Sequence, residues 1–443
     1  MRTVFSPSSA GFMLYRPLTQ GAYFHALRKL FGLDAAGYHV AQLLAYAANS
    51  VLSFAIAWKL TSSWTQAAAV AVLYAAAPGH AVAVYWMAAF TMSGTAFVVF
   101  TTVLWWLSTA GRLRAIGCGI LQGIALLCSE HAVVVPLILG IIAAFGPRRD
   151  SRAAVARDAA PAALVVLAYV AAKAWYFATV AAPSGGYALH VDALEWLANV
   201  ARYAAASLNV LTLAHLTREQ SITVGVLIVL GALAAGALTV YGRTRWRLAA
   251  VGLAIFVASL LPVLPLTQHY YDYFVGVAAL GLAIALVGLC DAIYPSWGAA
   301  LAAALVVAVV ATDVRTCDRA ARSNQVLRDV IAGQRAAADL LMSLYTTRQL
   351  VGADAELGVA RSPITDYVLD AGQAHEVFFD PPIHISVVGG TTRSHTGAGS
   401  EMMPVLRADP RLQPFWADPG LNWAREFLPM VHHWYLSWCS GCQ

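Results

Sequence analysis

Charged residues are scarce in this sequence, and their scarcity excludes most classes of soluble protein. Asp, Glu, Lys and Arg make up 12% of the 443 residues, whereas hydrophobic residues make up 60%. A typical soluble domain has about 25% charged residues and an apolar share of about half. The mean hydropathy of +0.65 therefore predicts a polytopic protein that resides in a lipid bilayer.

Lysine and regularly spaced cysteine are also rare. The chain has only three lysines, and its six cysteines lack the even spacing of a small disulfide-rich secreted domain. The net charge of +5 comes from short arginine clusters between apolar runs. Such clusters set the orientation of membrane helices, so we expect no nucleic acid partner.

The first 37 residues lack a run of about twenty apolar residues, the length that a spanning helix needs. Their apolar residues recur at helical spacing beside Arg16, Arg28 and Lys29, which predicts an amphipathic helix along the membrane surface. An ordinary amphipathic connector is the alternative.

Ten apolar segments follow this head, and each predicts a membrane helix. They lie at 38–58, 66–86, 91–108, 116–128, 132–146, 159–181, 222–241, 248–265, 274–291 and 297–312. The fourth and fifth are short and meet at Ser129-Glu130-His131, as in a helix pair that encloses a cavity. A further interfacial helix is predicted at 191–213.

The composition changes after residue 312, where charged residues return. Short strands are predicted at 377–379 and 383–388, around a Pro-Pro step. The sequence thus predicts three regions. They are an extracytoplasmic head (1–37), an all-α transmembrane domain (38–312) and an extracytoplasmic α/β domain (313–443).

Lysine and arginine are distributed unevenly between alternate loops. One set of loops holds only Arg202 and Arg218, whereas the other holds ten basic residues: Lys59, Arg112, Arg114, Arg148, Arg149, Arg152, Arg157, Arg243, Arg245 and Arg247. The richer set is expected in the cytoplasm. With ten spans, both termini are then extracytoplasmic, in a plasma or inner membrane.

Several motifs near the start of the chain occur in a fixed order. They are Tyr15-Arg16-Pro17-Leu18, Phe31-Gly32 followed by Gly37-Tyr38-His39, a helix with Asn49, and Pro78 followed by His80 and Trp86. This pattern resembles polytopic GT-C glycosyltransferases of the protein O-mannosyltransferase and tetratricopeptide-bearing transmembrane group. Those enzymes have Glu where this chain has Val82.

The resemblance implies an integral membrane hexosyltransferase with a GT-C-like fold. Such an enzyme transfers a sugar from a polyprenyl-phosphate donor to a protein or glycan acceptor at the extracytoplasmic face. It places Tyr15 and Arg16 at the outer surface, where Arg16 would pair with the donor phosphate or with a catalytic carboxylate. It also places His269 and Tyr270 near the donor phosphate, although the family has Arg near His269 and an aromatic interfacial belt is the alternative. His39 and His80 match family histidines at helix ends, where a structural role is the alternative.

The junction of the two short segments is similar to a family motif with a Lys-Glu step. Glu130 matches the acidic position, which makes it a candidate catalytic residue. Glu130 and His131 could bind a divalent cation or an acceptor proton, or could cap the turn. No metal ligand set is assigned.

Lys173 lies inside the sixth apolar segment. An ionisable residue there costs about 2.5–3.5 kcal/mol on insertion, so Lys173 is a candidate for substrate binding. The alternative is that its ammonium group reaches the interface beside Trp175 and Tyr176.

The catalytic Asp that the resemblance implies would precede Tyr15 by more residues than this sequence has. We therefore expect an N-terminally incomplete copy of a protein with eleven or more spans. A second hypothesis is a non-catalytic relative that binds lipid or glycan, or a transporter, in an envelope glycan pathway.

Overall fold

The computed structural model describes residues 16–32, 35–85, 87–147, 150–179, 190–208, 217–267, 272–294, 296–323, 343, 357–360 and 385–388. The chain falls into two compact units, Met1–Val314 and Arg315–Gln443. Tyr15, His269, Tyr270 and the predicted strand at 377–379 lie outside the described residues.

Helices account for nearly all of the described chain. They are α1 (Tyr23–Phe31), α2 (Ala35–Thr61), α3 (Trp64–Ala76), α4 (His80–Tyr85), α5 (Phe90–Ser108), α6 (Gly111–Cys128), α7 (Val135–Phe145), α8 (Arg152–Thr179), α9 (Ala193–Leu208), α10 (Arg218–Val240), α11 (Arg247–Leu260), α12 (Ala278–Ile293) and α13 (Gly298–Ser323). Short helical turns lie at Pro17–Ala22, Met87–Ala89, Glu130–Val134, Thr244–Trp246 and Asp272–Gly276.

Each of the ten predicted apolar segments overlaps a helix, but the segment 66–86 is divided into α3 and α4 by a break after Ala76. Within the described ranges, five helices are long and apolar enough to cross a membrane, judged by length and composition: α2, α5, α6, α8 and α10. The apolar helices α3, α12 and the stretch Glu130–Phe145 are shorter. The structure therefore indicates a nearly all-helical integral membrane protein, and the count of ten spans stays a prediction.

The head contains a helix, as its spacing predicts. Helix α1 buries Leu27 and leaves Leu30 exposed, so one side faces the protein and the other does not. It ends at Gly32, whose φ of 60° favours glycine. The predicted helix at 191–213 is α9, and it buries Tyr203. Helix α9 packs on α10, where Gly225 lets the α9 backbone approach closely.

Helices α11 and α12 also pack with their backbones in close approach. A Cβ atom at Gly252 would collide with the backbone of Ala285, and one at Gly281 would collide with the backbone of Phe256. Small residues at a helix interface allow such close approach, which increases van der Waals contact where apolar burial from water is not available.

The second unit contains two short described strands. Strand β1 (Leu357–Ala360) pairs in parallel with β2 (Ile385–Val388), with Leu357 opposite Ile385 and Ala360 opposite Val388. Strand β2 lies within the predicted strand at 383–388, whereas β1 was not predicted. The α/β domain as a whole stays a prediction.

Candidate functional site

Arg16 and Glu130 form a two-pronged ion pair although 114 residues separate them in sequence. The Arg16 Nε atom donates to Glu130 Oε2 at 3.0 Å, and Nη2 donates to Oε1 at 2.5 Å. The two side chains are 18% and 35% exposed. This planar fork fixes the orientation of both groups and leaves them accessible.

The backbone at Arg16 is held in an unusual conformation. Its φ of 44° and ψ of 55° lie in the left-handed region, which costs about 1–3 kcal/mol for a residue other than glycine. The turn Pro17–Ala22 follows, and buried Thr19 donates a hydrogen bond from Oγ1 to the Cys128 carbonyl at 2.7 Å. The head is thereby attached to the end of α6, which places Arg16 beside Glu130.

Glu130 lies between α6 and α7, in a turn with its own hydrogen bonds. The Ser129 side chain accepts a bond from the His131 N–H at 3.3 Å. Burial raises the pKa of the Glu130 carboxyl, but the charge and hydrogen bonds of Arg16, with help from His131, hold that pKa well below its ordinary value. The carboxylate therefore stays ionised and is a weak proton acceptor at neutral pH.

A cavity of about 290 Å³ opens beside the ion pair. It lies between α6 and α8 and is polar at one end and apolar elsewhere. Its lining residues are Arg16, Pro17, Gly123, Leu126, Leu127, Val165 and Tyr169.

Lys173 lies one helical turn beyond Tyr169 on α8. Its Nζ atom is 5.9 Å from the centre of the Tyr169 ring. Lys173 also interacts electrostatically with Glu130 and Arg16. The structure thus brings four polar residues to the mouth of the cavity, and two of them are cations.

The predicted histidines are placed differently from one another. The His131 ring packs edge-on against Phe274 at 4.9 Å. His80 is buried against Tyr74 at 4.6 Å and Tyr46 at 5.1 Å, a setting typical of a structural residue. His39 lies half-buried on α2.

Metal-binding side chains do not cluster in the described part of the chain. No group of three or more His, Cys, Asp or Glu residues there could hold a metal ion. A divalent cation stays a prediction.

A second arginine network lies at the other end of α6, and sequence reasoning missed it. Arg114 pairs with Asp150 at 2.6 Å and with Asp158 at 3.5 Å. Its Nε atom donates to the Thr109 carbonyl, and its guanidinium lies 4.8 Å from the centre of the Trp106 ring. The Arg114 and Asp158 side chains are each 2% exposed. Arg114, which the loop count treated as a topology charge, is thus a buried packing residue.

The sequence analysis also missed Tyr169 and Gly123, which line the cavity, and Thr19, which donates a hydrogen bond to the Cys128 carbonyl. Tyr169 carried a usable signal, because it lies four residues before Lys173 and so on the same face of α8. Comparison of the chain with models of protein families, with curated proteins and with solved structures finds no match.

Proposed function

We propose that this protein is an integral membrane glycosyltransferase of the GT-C type. It transfers a sugar from a polyprenyl-phosphate donor to an extracytoplasmic protein or glycan acceptor. One observation carries the proposal: the Arg16–Glu130 fork stands at the mouth of an apolar cavity between two helices that are long and apolar enough to span a membrane. A lipid phosphate needs cations and a lipid chain needs an apolar slot.

The chemistry requires positive charge where the donor phosphate departs. The bond between the sugar's anomeric carbon and the phosphate oxygen breaks, and the acceptor oxygen bonds to that carbon and loses its proton. Negative charge grows on the leaving phosphate. Arg16 is already paired with Glu130, so Lys173 supplies the excess positive charge that stabilises the transition state.

Glu130 is better suited to positioning Arg16 than to accepting the acceptor's proton. Its fork with Arg16 lowers the pKa of its carboxyl, and a carboxylate that is a weak base removes a proton poorly. In this proposal the acceptor's proton passes to solvent water, because both carboxylate oxygens of Glu130 are engaged by Arg16. Glu130 fixes the orientation of the Arg16 guanidinium, and the left-handed backbone at Arg16 directs that side chain toward Glu130.

The proposal also covers the finer features of topology. The protein has ten spans in the present sequence, with both ends and the region 313–443 outside the cytoplasm. Its support is the ratio of ten basic residues to two in alternate loops. Labelling of cysteines introduced at Ser400 and Arg148 tests this arrangement, since an outside reagent should modify only the former.

The test of function is a transfer assay with the purified protein in liposomes. A panel of radiolabelled polyprenyl-phosphate sugars is supplied, and transfer of label to peptide or glycan acceptors is measured. Arg16→Gln should lower the transfer rate by about 100-fold, the size of losing one transition-state donor.

Arg202→Gln is the matched control, because Arg202 also pairs with a glutamate, Glu195, at 2.6 Å. It should keep its transfer rate. An equal loss of transfer rate in both variants would overturn the proposal. So would the absence of transfer by the wild-type protein with every donor in the panel.

A non-catalytic lipid- or glycan-binding protein is the second candidate. The residues that line the cavity include no carboxylate, and the neighbouring Glu130 is engaged by Arg16. Binding of donor by the purified protein without transfer to any acceptor would favour this candidate.

A further inference from the structure

Helices α6 and α8 are close at one end and apart at the other. At the closed end Arg114 pairs with Asp158, and a Cβ atom at Gly119 would lie 2.9 Å from Pro161 Cβ. One turn further, Gly123 and Val165 already line the cavity. The pair therefore forms a wedge-shaped groove that widens toward Arg16.

Gly123 makes the inner part of this groove. A Cβ atom there would meet no atom within 4 Å, so the space beside it is empty and a side chain would occupy it. The groove runs from Gly119 to Leu127, eight residues along α6, which corresponds to about 12 Å at the rise of an α-helix. Its walls there are apolar, with Leu126 and Val165 among them.

We infer that this groove holds the first carbons of the polyprenyl chain and that Gly123 determines the size of chain that enters. The identity of the lipid rests on the proposed function. Arg16, Glu130 and Lys173 together carry one net positive charge at the mouth, which complements a phosphate on a single chain. A phospholipid has two chains side by side, and a slot between two helices that closes at Gly119 accommodates one.

A binding measurement on the purified full-length chain tests this inference without any sugar. The probes are geranylgeranyl phosphate and isopentenyl phosphate, which share a phosphate but differ in chain length. The five carbons of the shorter probe cover only part of the groove's length of about 12 Å. Affinities are measured from quenching of tryptophan fluorescence in detergent.

Two variants fill the groove from opposite walls: Gly123→Leu from α6 and Val165→Phe from α8. Gly140→Leu is the matched control, because a Cβ atom at Gly140 on α7 also meets nothing within 4 Å and Gly140 does not line the cavity. The second wall variant keeps the test valid if the first fails to fold.

We expect Gly123→Leu and Val165→Phe to weaken binding of geranylgeranyl phosphate by about tenfold or more, equivalent to about 1.4 kcal/mol. Binding of isopentenyl phosphate and the behaviour of Gly140→Leu should stay unchanged. Equal losses in all three variants, equal losses for both probes, or displacement of the long probe by phosphatidic acid at the same concentration would overturn the inference. Chain-dependent binding without sugar transfer would contradict only the proposed function.

Discussion

The two ends of α6 carry the same chemical pair in different surroundings. Arg114 and Asp158 are both almost fully buried, and Arg114 is also bound by the Thr109 carbonyl and the Trp106 ring. Arg16 and Glu130 are partly exposed and adjoin a cavity. An arginine–carboxylate pair is therefore structural at one end and available to a ligand at the other, and burial makes the difference.

The energetic consequence of breaking each pair differs for the same reason. Removal of one partner from a buried pair leaves a charge without compensation in an apolar interior. A partly exposed partner is instead hydrated when its pair is broken. Variants at the two ends of α6 should therefore differ clearly in their free energy of unfolding.

The largest effect is expected for Arg114→Leu. Loss of this buried partner should lower the free energy of unfolding by about 3 kcal/mol, the lower end for a broken buried pair, because Asp158 keeps its contact with Arg157. The change is measured by thermal or denaturant unfolding in detergent. Arg157→Leu is the control, because Arg157 also contacts Asp158 but its side chain is 64% exposed. If Arg114→Leu and Arg157→Leu lower the free energy of unfolding equally, burial of the arginine does not determine the loss.

Thr19→Ala should have an intermediate effect. It removes the hydrogen bond to the Cys128 carbonyl, which corresponds to about 1 kcal/mol of unfolding free energy. Because this bond places Arg16, affinity for geranylgeranyl phosphate should fall as well. Thr19→Ser keeps the hydroxyl and should restore both properties; failure of rescue would argue that the methyl group against Gly94 is the important part.

Arg16→Gln should change stability little. A partly exposed ion pair contributes up to about 1 kcal/mol, and the left-handed backbone at Arg16 offsets part of that gain. The expected result is a near-normal unfolding temperature with lost lipid-phosphate binding. A loss of stability as large as that of Arg114→Leu would remove the contrast between the two ends.

The smallest effect is a pH dependence at Glu130. Its pKa is lowered in the folded state by Arg16, so its contribution is fully present above the unfolded carboxyl pKa of about 4.3. The contribution declines as pH falls below that value toward the lowered folded pKa. The stability difference between wild type and Glu130→Gln should be constant from neutral to mildly acidic pH and shrink at lower pH. A difference that grows on acidification would contradict the assignment.

The helices could be predicted from the sequence because each apolar run indicates a segment that is kept away from water. All ten runs overlap helices, although the run 66–86 is divided between α3 and α4, and the head contains α1 where its apolar spacing predicts an amphipathic helix. The number of spans could not be settled in that way, since several apolar helices are shorter than a bilayer requires. Short apolar helices look alike in sequence whether they span a membrane or pack within a bundle.

The candidate site was harder to predict because its parts are far apart in sequence. Arg16 and Glu130 were each singled out by motif, and Lys173 by its charge within an apolar run. Gly123 had no such mark, because a cavity depends on what two helices leave empty between them, and Tyr169 was marked only by its spacing of four residues from Lys173. Arg114 was considered only as a topology charge, because nothing in the sequence indicates that Asp158 is its buried partner.

Pro161 makes α8 more flexible at one point along its length. Proline has no N–H, so the helix lacks one backbone hydrogen bond to the carbonyl of Arg157 and is less stiff there. The residues before it are anchored by the Asp158 ion pairs, and the residues after it run toward Lys173. Helix α8 therefore has a hinge at Pro161, next to the part of the helix that the Asp158 ion pairs hold in place. A small rotation of α8 at Pro161 displaces Tyr169 and Lys173 more than the residues next to Pro161, so the mouth of the groove would change width more than its closed end.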